Sequence, residues 1–418
     1  MSKIGLRACP RLSRTRILVI LCIFPLVTFF LSAIVPFRTA GSFSRRRDSG
    51  ILNTDDHRRL LANAIIHNSS AIVSASNITF ALPSPARRNQ LKGVIDDENI
   101  EEMEDDAEIN MTEIEEKIRI SMQRPWKFNS TLLTNERRQM QRYFDPHGVI
   151  SLTKKDVNIG STIHFHYSHA RYIFAVPRTM YNILPEQKHF QSQQFDTCAV
   201  VGNGGIMLHS NCGDEIDKHD FIIRCNFPEV SGFEKDVGQR TDLLTFNPSI
   251  LDKKYERLFT VTTRMKFQSD LQRFGRVILW VPAFAHHHSI PTFRILLDYL
   301  DEVWELNKNL QVAIPGEFLD GMFRYWETKG ITERRLSTGL VMYSIATGIC
   351  REVHLYGFYP FKTYHGTQLS YHYDENFREK DYVENKKYHK MPTEFAYFQQ
   401  MHALGGLKLT IGECNNDN

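Results

Sequence analysis

The run Cys198 to Gly205, Cys-Ala-Val-Val-Gly-Asn-Gly-Gly, constrains the fold more than any other part of the chain. Ala199 to Val201 is short, apolar and partly β-branched, as suits a strand in a sheet interior. Gly202, Gly204 and Gly205 then allow a tight turn with no Cβ in the way. Some two dozen residues later, Phe221-Ile-Ile-Arg-Cys-Asn226 reads as a second strand that ends at a side-chain amide. Strand, glycine turn, helix and strand make the first unit of a nucleotide-binding α/β sheet. Ligands in such sheets sit at the carboxyl ends of strands, where Asn203 and Asn226 fall. The spacing is not G-x-G-x-x-G, and Asn226 stands where a carboxylate would hold a ribose, so a nicotinamide cofactor is disfavoured. Taken alone, the turn would serve an ordinary βαβ crossover equally well.

Further strand-like runs occur at Leu243 to Phe246, Val277 to Pro282, Leu310 to Ile314, Val353 to Tyr356 and Leu407 to Ile411. Amphipathic segments lie between several of them, notably Thr292 to Trp304, Phe318 to Glu327 and Thr338 to Ile349. Strands alternating with helices predict a mostly parallel sheet flanked by helices, an α/β fold. The net charge of +3 gives no field that would argue for nucleic acid as a partner.

The first third of the chain is different. Ile17 to Phe37 carries no charge and is long enough to cross a bilayer of about 30 Å. A cleaved signal peptide has a shorter apolar core, so the segment reads as an uncleaved anchor. Sequons at Asn68, Asn77, Asn110 and Asn129 all follow it, and glycosylation at any of them needs a lumenal C-terminal side. From Arg38 to about Ile120 there is no sustained apolar periodicity, and Asp96 to Glu116 is densely acidic, as expected of a largely disordered stem. The organisation read from these features is a cytosolic tail (1–16), a transmembrane signal anchor (17–37), a stem (38–120) and a lumenal catalytic domain (121–418).

Beyond the anchor the cysteines are Cys198, Cys212, Cys225, Cys350 and Cys414, an odd number that allows at most two internal bridges. Their spacing matches no zinc pattern, and the globular part has no Asp-x-Asp to hold a sugar-nucleotide metal. Metal-independent chemistry without a cofactor is the expectation.

Arg335-Leu-Ser-Thr-Gly339 reads as a polar turn that opens a helix, with Ser337 or Thr338 as N-cap. A helix start of this kind stabilises a phosphate or carboxylate, with Gly339 leaving the backbone accessible, and it is equally a plain cap. The next strand ends in aromatic residues around Gly357 and Tyr359, where a nucleobase could stack or a core could close. Two histidine segments follow, Tyr371-His-Tyr-Asp374 and His389-Lys-Met-Pro-Thr-Glu394. Histidine suits proton transfer near neutral pH. With 17 histidines in the chain, composition does not separate His372 and His389 from His286, His287 and His288.

Together these segments resemble the animal sialyltransferases. Cys198 to Ser249, with Ile-Ile-Arg-Cys-Asn226 and Asp236-Val-Gly-Gln-Arg-Thr-Asp242, is similar to the large sialyl motif. Arg335 to Phe361 is similar to the small motif, Tyr371 to Asp374 to the third, and His389 to Glu394 to the very small His-x4-Glu motif. Four motifs in order, behind an anchor and a stem, resemble the α2,8-sialyltransferase branch over roughly Trp126 to the C-terminus.

The resemblance implies a single Rossmann-like domain of glycosyltransferase A type in the Golgi membrane, single-pass type II. It implies a CMP-sialic acid donor, a sialylated glycoprotein or glycolipid acceptor, inversion at the anomeric carbon and no metal. By motif position, Asn203 and Asn226 would contact the CMP moiety. Ser337, Thr338 and Gly339 would bind the donor at their helix start, with Gly357 and Tyr359 near the nucleotide. His372 would meet the departing phosphate, and His389 would deprotonate the acceptor hydroxyl. The family's disulfides map onto Cys198 with Cys350 and Cys212 with Cys414, leaving Cys225 free.

The chain departs from the branch twice, with Tyr359 in place of the usual Trp and a third motif one Tyr short. Polysialylating members resemble one another in a strongly basic stretch before the small motif. Here residues 305–335 hold five basic against five acidic residues, so mono- or oligosialylation is expected. Transfer in α2,3 or α2,6 linkage, a catalytically impaired donor-binding protein and a homodimer are all compatible with the same residues.

Overall fold

The computed structural model describes residues 115–414 apart from 117, 121–124, 169–171, 191–193, 305–306, 308, 318, 333–334 and 387–388, and structural statements refer to these residues. The expected anchor and the sequons at Asn68, Asn77 and Asn110 lie outside them. No described helix is long and apolar enough to cross a membrane.

Seven strands build the central sheet: β1 (Phe195–Val201), β2 (Phe221–Arg224), β3 (Leu243–Thr245), β4 (Val277–Trp280), β5 (Leu310–Ala313), β6 (Cys350–Tyr356) and β7 (Lys408–Thr410). Their spatial order is β7-β6-β1-β2-β3-β4-β5, and every neighbouring pair runs parallel. Parallel strands are covered on both faces, so they read as continuous apolar runs, and every residue of β2, β3 and β4 is buried. Side chains of β1 alternate between the faces: Cys198 and Val200 join one apolar cluster, Ala199 and Val201 another.

The chain steps outward from β1 to β5 and then returns to the other side of β1 as β6, so the order reverses between β1 and β6. Ligand crevices of open α/β sheets form outside the carboxyl ends at such a reversal. Val201 is level with both Tyr356 of β6 and Arg224 of β2. That register puts Gly202, Cys225 and Gly357 along one edge.

The helix Thr338–Ile349 runs beneath β1 and β6, and all its residues from Leu340 onward are buried. Its observed limits match those read from the sequence, because Ser337 caps it and β6 begins at Cys350. On the opposite face lies the helix Ile290–Val303, packed through Phe293, Leu296, Leu297 and Leu300. Residues 118–120 are helical and Ile118 is 2% exposed, so the ordered body reaches into the segment read as stem. Cys198 is bonded to Cys350 and Cys212 to Cys414, with Cα separations of 5.9 and 4.9 Å, and Cys225 is a buried thiol.

Candidate functional site

The glycine turn is shaped by the protein's own backbone. The Gly204 amide donates to the Gly357 carbonyl at 3.2 Å, and a Cβ on Gly204 would stand 2.6 Å from that oxygen. A Cβ on Gly205 would stand 2.1 Å from the Ser370 carbonyl oxygen. These glycines therefore let β1, the end of β6 and the segment before His372 meet at backbone contact, a requirement separate from ligand access. Within that contact, Gly204 forms an antiparallel bridge with His372, and the Tyr373 amide donates to the Asn203 carbonyl at 3.0 Å. The third motif is thereby strapped onto the first.

Asn203 donates from Nδ2 to the Cys225 carbonyl at 2.9 Å, which tethers the turn to the end of β2. Its Oδ1 is buried and has no partner among the described residues. Asn226 follows in a left-handed conformation, φ 57°, its amide donating to Thr245 Oγ1 at 2.7 Å and its side chain exposed. Left-handed backbone suits Asn better than most residues and turns the chain sharply at the strand end. Lys254 Nζ lies 5.9 Å from the ring centroid of Phe227, the next residue.

The acidic and basic residues around Asp236-Val-Gly-Gln-Arg-Thr-Asp242 serve the scaffold. Asp236 accepts the amides of His209 at 2.8 Å and Asn211 at 2.9 Å, two residues with positive φ beside the Cys212–Cys414 bridge. Arg224 is fully buried and donates to the Arg240 carbonyl and to Thr241 Oγ1, and burial lowers its pKa to about 10.

The other wall is the start of the helix Thr338–Ile349. Ser337 Oγ accepts the Leu340 amide at 3.0 Å and donates to the Glu394 carboxylate, which also accepts the Ser337 amide at 3.0 Å. Glu394 is 3% exposed and Ser337 6%. His389 Nδ1 lies 3.0 Å from the Arg335 carbonyl oxygen. A carbonyl can only accept, so Nδ1 carries the proton and a neutral ring presents its lone pair at Nε2. Burial, the largest influence, holds the His389 pKa below its usual value of 6.5. The His-x4-Glu spacing thus has a geometric meaning: both residues grip the same turn, at Arg335 and at Ser337. Behind them the helix Met391–Ala403 is fastened by Tyr397, whose hydroxyl donates to buried Glu136.

A family model described as glycosyltransferase family 29 (sialyltransferase) matches residues 151–405. The chain belongs to that family. Among solved structures, a mammalian sialyltransferase in complex with Gal-beta-1-3GalNAc-ortho-nitrophenol is 20% identical, with 66% of this chain and 95% of that chain covered and a TM-score of 0.39. The monofunctional alpha-2,3-sialyltransferase Cst-I of Campylobacter jejuni is 14% identical, with 55% and 78% covered and a TM-score of 0.31.

In this sialyltransferase the residues singled out in sequence do not all stand in the same relation to the crevice. Asn203 and Asn226 follow the carboxyl ends of β1 and β2, and His372 is bridged to Gly204 beside them, with its Nδ1 3.4 Å from Glu375 Oε2. Thr338 and Gly339 are half-exposed at the helix start. Ser337 is not open in the same way, since its hydroxyl is engaged by Leu340 and Glu394. Tyr359 is packed as core rather than as an open platform: it is 6% exposed, edge-on to Phe361, Tyr364 and Phe395, and its hydroxyl donates to the Thr363 carbonyl at 2.9 Å. The ring beside the turn is Phe358, which a Cβ on Gly202 would meet at 3.4 Å and one on Gly339 at 2.3 Å.

Sequence reading also missed Tyr167. Its phenol hydrogen-bonds the Leu336 backbone, between Arg335 and Ser337, and burial pushes its pKa up to about 12. His286 stacks on Tyr167 at 4.8 Å and His287 on Tyr172 at 3.7 Å, so this histidine row packs against aromatic neighbours one element away from the His389 turn. No local pattern marks Tyr167, because its partner lies 169 positions later in the chain.

Substituting Gly205 by Ala tests the backbone contact. The methyl would meet a carbonyl that cannot swing aside, so the His372 segment must shift. Transfer is expected to fall roughly a hundredfold for an ångström of displacement, with far-ultraviolet circular dichroism unchanged. A Gly205→Ala enzyme with wild-type kcat would show that the contact has slack.

Proposed function

We propose that this sialyltransferase moves sialic acid from CMP-sialic acid to the terminal sialic acid of a glycoconjugate in α2,8 linkage, with inversion and with His389 as general base. The observation that supports this most directly is the His389 geometry: Nδ1 bound to the Arg335 carbonyl and a pKa lowered by burial, hence a neutral ring with its lone pair at Nε2. In the step we propose, Nε2 takes the proton of the acceptor hydroxyl as its oxygen bonds to the anomeric carbon and the bond to the CMP phosphate breaks. The departing phosphate is anionic, and His372 with the amides at Thr338 and Gly339 are the groups proposed to meet it. Asn203, whose buried Oδ1 has no partner among the described residues, is assigned to the nucleotide together with Asn226 and Gly357.

The linkage and the mono- or oligosialyl product rest on the motif resemblance and on the balanced charge of residues 305–335. The same reading places the enzyme in the Golgi membrane with a lumenal catalytic domain and metal-free chemistry. Asn129, exposed and capping the helix Ser130–Met140, is its proposed glycan site within the described residues.

Product linkage analysis after incubation with CMP-sialic acid and sialyllactose, ganglioside or N-glycan acceptors tests the proposal. The expected products are short α2,8-linked chains. Products linked only α2,3 or α2,6 to galactose or N-acetylgalactosamine would replace the linkage, and CMP binding without turnover would replace the catalytic reading. Asn203→Ala is expected to weaken donor binding roughly tenfold or more, the worth of a lost buried hydrogen bond, with acceptor KM little changed.

A further inference from the structure

Between β3 and β4 one surface is apolar at positions that face solvent. After the helix Ser249–Tyr255 the chain turns through Glu256, Arg257 and Leu258, with φ of 46°, 54° and 58°. Three successive non-glycine residues in the left-handed region are rare, and such strain persists only where surrounding structure holds it. Leu258 is buried by the turn, and Phe259 is thrust out to 90% exposure. Thr260 and Thr263 form a capping box that opens the helix Val261–Gln272, so the segment is pinned on both sides of Phe259. Val261 and Met265, four residues apart on one stripe of that helix, are 74% and 66% exposed. The helix gives the core only Phe267 and Leu271 as apolar residues.

Charge distinguishes the same region. Residues 249–276 hold seven Lys or Arg against three Asp or Glu, an excess of four, whereas the whole chain has an excess of three. Lys253, Lys254 and Arg257 are exposed and lie within six residues of Phe259 in the chain, Arg257 also pairing with Asp252. Three apolar side chains fall far short of the roughly 800 Å² per partner of a stable protein interface. Apolar side chains rimmed by cations do match a lipid surface, where the former enter the acyl boundary and the latter lie among anionic headgroups. The site is near: Lys254, two residues before the turn, reaches Phe227, the neighbour of Asn226.

We infer that Phe259, Val261 and Met265 dip into a membrane surface bearing anionic headgroups, with Lys253, Lys254 and Arg257 at headgroup level, and that this contact turns the crevice toward membrane-borne acceptors. The consequence for acceptors rests on the function proposed above; the membrane contact does not.

The test uses the full chain reconstituted into phosphatidylcholine vesicles with or without phosphatidylserine. In Phe259→Trp, the emission added to that of the four native tryptophans is expected to be blue-shifted and quenched at least roughly twofold by brominated lipid, more so with phosphatidylserine. Lys253→Gln/Lys254→Gln/Arg257→Gln should remove the phosphatidylserine increment. Emission at the wavelength of hydrated tryptophan, indifferent to brominated lipid, overturns the contact. A blue shift that depends on protein concentration and not on lipid overturns it in favour of a second copy. In the activity arm, Phe259→Ser/Val261→Ser/Met265→Ser should lower transfer to a ganglioside in the vesicle roughly tenfold and leave transfer to the soluble oligosaccharide of the same headgroup unchanged. Equal losses on both acceptors overturn the consequence for acceptors. A wild-type chain that transfers to neither acceptor refutes the proposed function, while the quenching result stands by itself.

Discussion

His389→Ala is expected to lower the transfer rate roughly 10²- to 10⁴-fold, the usual contribution of a positioned general base, while CMP affinity stays close to wild type. The reason is the division of labour in the ring. Nδ1 spends its proton on the Arg335 carbonyl at 3.0 Å, and only Nε2 can accept one. Burial is the largest influence on its pKa and pushes it below 6.5. Because the working form is the neutral ring, activity is present above the folded-state pKa and is lost as pH falls through it. The acid limb of the rate profile should therefore lie below pH 6.5, and it should vanish in the alanine variant. Residual activity within a few-fold of wild type, or an acid limb that survives the substitution, would remove His389 from this role.

Glu394→Ala is expected to damage stability and transfer together. The carboxylate is buried and accepts both the amide and the hydroxyl of Ser337, the cap of the helix Thr338–Ile349. Deleting it leaves two buried donors short of a partner, at a cost of about 3 kcal/mol. The same turn carries the Arg335 carbonyl that orients His389, so a loosened cap also frees the base. Thermal melting should drop by several degrees, and kcat should fall more than donor affinity. Glu394→Gln, which keeps one acceptor oxygen, should recover part of both. An alanine variant with wild-type melting and wild-type kcat would show that the carboxylate is dispensable.

The central strands were legible in sequence because parallel strands buried on both faces leave continuous apolar runs, as at β2 and β4. The helix Thr338–Ile349 was legible because a capping serine opens it and its apolar run is unbroken. The helix Met391–Ala403 was not, since aromatic and polar residues alternate around it without a clean stripe. Nor was the buried start of the body at Ile118, which follows an acidic run and owes its burial to tertiary packing.

For the candidate site, motif order singled out a set of residues, and residue type set what each can do: amides at Asn203 and Asn226, a titratable ring at His389, a hydroxyl at Ser337. Those properties are carried by single side chains, so sequence alone determined them. What only the tertiary structure decided is who is paired with whom. Glu394 spends itself on Ser337, 57 positions away, His389 receives its tautomer from Arg335, 54 positions away, and Tyr359 is drawn into the core while Phe358 stands at the turn. The physical reason is that a hydrogen bond or a burial belongs to two groups at once, and the second group is chosen by where the sheet and its helices bring the chain back.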